Sequence, residues 1–232
     1  MRRIYASLLP VAALFSLACT SKAQNESSRE VAGGGVSVKG WTGQVDPGEA
    51  KKGQALKNAK LANDGSSLHV TTGPAVAYWN PSNTASGDYT VKATFTEPKY
   101  MNLNDHPHPY GIFIGGNDMG TANQSYLYCA TYGTGNFIVR GFGPAPFQMN
   151  GRGEANAAVH KAAAQGSPVT QDIAVSVKGD KVQCSVNGAV VGTYNKSDVV
   201  GAGKLKSTDG VFGIRFSHNT EGLVSGLTVT KP

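Results

Sequence analysis

Cysteine is scarce in this chain. Three occur among 232 residues, and no Cys-x-x-Cys spacing is present, so the common cysteine-based metal sites are excluded. Charge is thin as well. Charged residues make up 16% of the chain and are scattered rather than blocked; no basic stripe of the kind that tracks a nucleic-acid backbone can be drawn, and no nucleic-acid partner is expected. The formal net charge is +6, but Arg2, Arg3 and Lys22 lie in the first segment, and the remainder is nearer neutral. No long amphipathic helix, no internal repeat and no second domain can be traced. Beyond the N-terminus no apolar run approaches membrane-spanning length.

What is present is alternation and glycine, 30 of the latter. From Asp172 onward, Ile173, Val175 and Val177 fall on one strand face, and Val182, Cys184 and Val186 on the matching face after a Gly179-Asp180 turn. Asn187-Gly188 is a second tight-turn signal. Tyr89–Glu97 alternates cleanly, with Val91, Ala93 and Phe95 inward. Ser67–Thr71, Ala75–Trp79 and Tyr110–Ile114 read as further strands, and Ser125–Tyr132 with Phe137–Phe142 as a hairpin closed by Gly133-Thr134-Gly135-Asn136. Phe212, Ile214 and Phe216 share one face of the strand beginning at Val211, and Arg215 falls on the other. Thr42–Leu61 reads as a loop with short extended pieces; Ala155–Ala164 is either a short helix or a loop. The expected class is all-β, a two-sheet antiparallel β-sandwich with Phe95, Ile112, Val175, Phe212 and Ile214 in its core.

The N-terminus reads as an export signal. Arg2 and Arg3 precede a short apolar core, Leu8–Leu17. Ser16-Leu17-Ala18-Cys19 resembles a bacterial lipobox with Cys19 as the lipidated residue; Ser21-Lys22-Ala23 is the competing cleavage site. Residues 1–18 are expected as signal peptide, 19–37 as a flexible tether, and 38–232 as the folded domain. The expected location is the bacterial outer membrane or periplasm as a lipoprotein, or the medium as a secreted protein, with membrane contact only through the lipid. Cys129 and Cys184 then remain in a compartment that permits disulfides; free buried thiols are the expectation.

The order of elements carries a resemblance. Gly40-Trp41, Tyr89–Phe95, Tyr110-Gly111-Ile112-Phe113, Tyr126-Leu127-Tyr128, Val175–Gly179, Val186-Asn187-Gly188 and Gly210–Ile214 follow one another in a way that resembles the concanavalin A-like lectin/glucanase jelly roll. More narrowly, the chain resembles exported bacterial domains of the 3-keto-disaccharide hydrolase-like type, over roughly Val38–Thr230. The resemblance implies two curved sheets, the concave one holding a glycan. The Glu-x-Asp-x-x-Glu strand of laminarinase-type glucanases is absent: the glutamates are Glu26, Glu30, Glu49, Glu97, Glu154 and Glu221, and no strand supplies the close carboxyl pair that retaining hydrolysis needs.

The candidate binding residues are Arg140, His106, His108, Tyr128 and Arg215. Asp105-His106-Pro107-His108-Pro109 places two imidazoles before a buried strand; it is either a substrate or metal loop or a rigid solvated turn. No third ligand stands out among His69, His160 and His218, so no metal site is assigned. Arg140 and Arg215 each interrupt an apolar strand and require acceptors, which are either sugar oxygens or a structural carboxylate. In the expected hairpin register Arg140 lies opposite Cys129. Tyr126, Tyr128 and Tyr132 alternate with Phe137 and Val139 across the turn, an aromatic stripe that reads as core more readily than as a sugar platform. No cofactor is expected beyond a structural calcium, for which Asn117-Asp118 offers oxygen ligands. Three functions follow: a carbohydrate-binding surface module, a glycoside-processing enzyme of the keto-disaccharide type, or a non-catalytic structural lipoprotein of the envelope.

Overall fold

The computed structural model describes residues 27–232. The expected signal segment, Cys19 and the start of the expected tether lie outside the described residues. Sixteen strands account for most of the remainder: β1 (Gly35–Val36), β2 (Thr42–Val45), β3 (Ala59–Asp64), β4 (Ser67–Thr72), β5 (Val76–Ala85), β6 (Tyr89–Glu97), β7 (Tyr110–Asn117), β8 (Ser125–Tyr132), β9 (Asn136–Phe142), β10 (Pro146–Gln148), β11 (Glu154–Ala155), β12 (Val169–Lys178), β13 (Lys181–Val186), β14 (Ala189–Asn195), β15 (Gly210–Phe216) and β16 (Glu221–Thr230). Helix is confined among the described residues to the single turns α1 (Pro47–Ala50) and α2 (Lys196–Val199) and a 3-10 turn at Leu56–Asn58.

The strands form two sheets. One runs β1-β3-β4-β16-β6-β12-β13-β14; the other runs β10-β9-β8-β7-β15-β5-β2, with β11 paired to β9. Among the described residues, every pairing between these strands is antiparallel except the short parallel contact of β1 with β3. Turn chemistry sets the register where the sequence places it. Gly179, at φ 55°, lets Lys178 pair with Lys181, Val177 with Val182 and Val175 with Cys184. Asn187 and Gly188 both take positive φ, the requirement of a two-residue type I′ hairpin. The inward faces of the two sheets then meet in one core. Phe95, Ile112, Val175, Phe212 and Ile214 all belong to it, at 4% exposure or less.

Two details depart from the sequence reading and two follow it. Cys129 on β8 and Cys184 on β13 are not free thiols but a disulfide, with Cα atoms 5.9 Å apart. They sit on opposite sheets, and only the packing of those sheets makes them partners. The stretch Thr42–Leu61 is the expected loop with short extended pieces, β2 and the start of β3, joined through α1 and the 3-10 turn. Ala155–Ala164 takes the loop alternative rather than the helix; apart from the tip of β11 it is turns, bends and irregular backbone. Glu221–Thr230, which shows no clean alternation, is a long strand between β4 and β6. A register shift between Ser225 and Thr228, with Gly226 at φ 64°, breaks its period of two.

The later part of the expected tether is held on the body. The Arg29 amide donates to Asn219 Oδ1 at 2.8 Å, and Asn219 Nδ2 donates to the Ser27 carbonyl at 3.2 Å. Gly35 and Val36 then pair with Lys60 and Leu61.

Candidate functional site

The outer face of the β9-β8-β7-β15-β5 sheet carries a second apolar cluster, distinct from the core: Ala77, Trp79, Phe113, Tyr126, Tyr128, Ala130, Ile138 and Phe142. Tyr126 lies 5.0 Å from Phe113 and 5.1 Å from Phe142, centroid to centroid. The tyrosine row is therefore neither inter-sheet core nor fully open platform. Its rings are buried against one another on the sheet's far side.

The register of β8 and β9 corrects the sequence reading by one residue. The loop is Gly133-Thr134-Gly135, with Tyr132 paired to Asn136 and Gly135 at φ 89°, a three-residue hairpin ending in a left-handed glycine. Cys129 consequently faces Val139, and Arg140 faces Tyr128. Because one residue of slip exchanges faces, Arg140 shares its surface with Tyr128 and Tyr132 instead of with the disulfide.

Two arginines stand in this aromatic surface, and the fold treats them differently. Arg215 is 5% exposed. Its Nη2 donates to the Asp46 carboxylate just after β2, and its guanidinium lies 4.7 Å from the Tyr128 ring centroid and 5.6 Å from that of Phe142. Burial alone lowers the Arg215 pKa, but Asp46 and the Tyr128 and Tyr126 hydroxyls outweigh it, and the net shift is upward. Arg140 is half-buried. It lies 5.6 Å from the Phe142 centroid, and its Nε has no acceptor within the described residues. Burial raises the Tyr128 pKa, and the two arginines partly offset that.

At the end of the same surface stand three histidines. β7 and β15 are neighbours with Tyr110 paired to Phe216. Continued past the strand ends, that register sets His218 across from His108. The Ser217 amide donates to the Pro109 carbonyl at 3.0 Å, and the two rings lie 4.1 Å apart. The His106 ring is 4.3 Å from that of His108. His106 Nδ1 is 2.6 Å from the Asp105 carboxylate, and His108 Nδ1 is 3.3 Å from the Ser217 hydroxyl. One ring nitrogen from each of His106, His108 and His218 lies within 4.8 Å of the others. Burial, with His218 and His106 alongside, pushes the His108 imidazole down to about 3. His218 had nothing to single it out in the sequence; the usable signal was its register position once β7 and β15 were paired.

The two arginines, Tyr128 and the three histidines line one depression of about 360 Å³, with Asp46 and Glu49 in its wall. Arg140, Tyr128, Arg215, His106 and His108 are therefore brought together. His69 and His160 are not: the first pairs with Glu221 at 2.9 Å, the second with the Thr170 carbonyl at 2.8 Å. Asp118, the carboxylate behind the calcium expectation, is paired with Lys206. A larger hollow of about 510 Å³ on the other sheet is lined by Lys92, Thr94, Asp172 and Ser185 among others. It gathers no arginine, histidine or aromatic ring, and Asp172 already accepts a bond from Thr94.

The chain matches no protein-family model and no curated protein. Its fold does have solved counterparts. The carbohydrate-binding module CBM66 from Bacillus subtilis superposes with a TM-score of 0.56 at 10% identity, over 84% of this chain and 98% of that one. A protein of unknown function with a galectin-like fold, also from Bacillus subtilis, gives 0.54 at 13% identity, over 84% and 90%. The endo-β-1,3-glucanase from Pyrococcus furiosus gives 0.51 at 13% identity, over 86% and 91%. At these identities the likeness shows the fold, and the fold is a concanavalin A-like jelly-roll sandwich. The expected two-sheet antiparallel architecture is the observed one.

Proposed function

We propose that this protein binds carbohydrate in the depression on the outer face of the β9-β8-β7-β15-β5 sheet, with Arg140 as its principal polar contact. The observation that carries this reading is the state of Arg140. It is a half-buried guanidinium on an aromatic surface, with Nε lacking an acceptor within the described residues. Arg215 Nε lacks an acceptor as well, but Arg215 is 5% exposed and its Nη2 is paired with Asp46. A guanidinium presents a planar fork of donors suited to paired hydroxyls or a sugar carboxylate, and the half-buried Tyr132 beside it in the depression offers apolar surface for a ring's C–H face. Counterparts of the fold named for carbohydrate binding and for glucan hydrolysis agree with a glycan ligand. Glycan-array screening followed by calorimetry tests the reading. Arg140→Ala is expected to weaken binding by about 1.5–3 kcal/mol, the range for hydrogen bonds to a charged group, while leaving the unfolding midpoint unchanged. A wild-type protein that binds no sugar sinks the proposal and leaves the structural-lipoprotein reading.

One observation favours a second reading, glycoside processing of the 3-keto-disaccharide hydrolase type. Arg140, the histidines and the carboxylates of Asp46 and Glu49 share a single depression, which is more polar convergence than a passive platform needs. Turnover of 3-keto or ordinary disaccharides, lost in His218→Gln, separates an enzyme from a binding module.

The site of action we propose is the envelope, through a lipid on Cys19. Labelled palmitate is expected to enter the protein and to be absent from Cys19→Ala. A mature N-terminus at Gln24 overturns this placement.

A further inference from the structure

We infer that His106, His108 and His218 form a site for one divalent transition-metal ion of the zinc class, at the end of the depression. The site rests on these three side chains and does not depend on the carbohydrate reading. Three imidazoles with a ring nitrogen each within 4.8 Å of the others are close to the face of a tetrahedron. At metal–nitrogen distances of about 2.0–2.1 Å such a face has nitrogen–nitrogen separations of about 3.3 Å. Closing that difference on metal binding would fall to the half-buried His106 and His218 side chains.

The surroundings resemble the outer shell of a metal centre. Ligating histidines characteristically have the second ring nitrogen held by a carboxylate, a carbonyl or another polar group, which sets the tautomer and ring orientation. Here Asp105 holds His106 Nδ1 and the Ser217 hydroxyl holds His108 Nδ1. The backbone is braced too. Pro107 and Pro109 flank His108, each with its φ fixed by the ring, and the Ser217–Pro109 hydrogen bond fastens the His218 segment to the His108 segment. Nitrogen ligands without a coordinating carboxylate or thiolate select zinc, copper, nickel or cobalt over calcium and magnesium.

Three protein ligands leave a coordination position for an exogenous oxygen. These histidines line the same depression as Arg140, Asp46 and Glu49, so that position opens onto the surface where a ligand would sit. A metal there would hold a water or a ligand hydroxyl beside the guanidinium.

The test uses the full mature protein, purified without a polyhistidine tag, stripped with chelator and titrated with Co²⁺ and Zn²⁺ in the absence of any sugar. One equivalent of Co²⁺ is expected to produce the visible absorption of a low-coordinate nitrogen site, and one equivalent of Zn²⁺ to abolish it. His218→Gln and His106→Gln are each expected to lose the one-equivalent uptake. His69→Gln and His160→Gln, which lie elsewhere, are expected to keep it. Asp105→Asn is expected to weaken uptake by about tenfold, the usual effect of an outer-shell partner. His108 is buried, and its substitution is avoided because misfolding would mimic loss of the site. Absence of uptake by the wild-type protein overturns the inference, as does stoichiometric uptake that survives both His218→Gln and His106→Gln. Because no sugar is present, neither result bears on whether Arg140 binds carbohydrate.

Discussion

Truncation of Phe95 to alanine is expected to remove about 3–5 kcal/mol of stability. Phe95 is fully buried on β6. Its ring lies 5.9 Å from Tyr110 and 6.0 Å from Phe216, centroid to centroid, and those two lie 5.7 Å from each other. The trio spans the sandwich: Phe95 comes from one sheet, Tyr110 and Phe216 from the other. Neither side can relax into the space a missing ring leaves, because each backbone is held in a hydrogen-bonded ladder on both flanks. Little slack exists behind the trio either. A Cβ placed on Gly222 of β16 would lie 2.7 Å from the Phe216 ring. Urea unfolding at unchanged m-value measures the loss. On the same strand, Lys92 points to solvent, and Lys92→Ala is expected to stay within about 0.5 kcal/mol of wild type. A Phe95→Ala cost below about 1 kcal/mol would contradict the assignment of the β6 faces.

Arg215→Ala is expected to be comparably damaging, at about 3–5 kcal/mol, for an electrostatic reason. The pair's side chains are 6% and 16% exposed for Arg215 and Asp46. Removing the cation strands a largely buried carboxylate in an apolar wall. It also removes the flat group packed over Tyr128 and Phe142. Arg215→Lys is expected to rescue only part of the loss, since an ammonium reproduces neither the fork of donors nor the stacking plane. Replacing both partners, as Arg215→Met with Asp46→Leu, is expected to cost clearly less than Arg215→Ala alone, because no orphan charge remains. A double-mutant cycle read by chemical denaturation checks this; additive losses would mean that the two side chains do not interact. The comparison also separates the arginines. Arg215 is paired with Asp46 in the wall of the depression, and Arg140 is the one we propose to meet a ligand.

The sequence by itself determined a good part of this. Alternation along Tyr89–Glu97 and around the Gly179-Asp180 and Asn187-Gly188 turns was enough to assign faces and local register, because a strand's period of two and a tight turn's positive φ are local properties. The residues that broke the apolar pattern, Arg140, Arg215 and the His106–His108 loop, were visible for the same reason, and they do converge. Other features were settled only by tertiary structure. The loop Gly133–Gly135 has one residue fewer than its glycines and asparagine imply, and that single step moved Arg140 from the disulfide's face to the tyrosines' face. The bulge at Gly226 hid β16. Cys129 meets Cys184, Arg215 meets Asp46 and His108 meets His218 across separations that no strand period encodes: 55 residues in the first case and 169 in the second. Within a strand the chain records which way a side chain points. What it points at depends on which distant strand folding brings alongside or opposite.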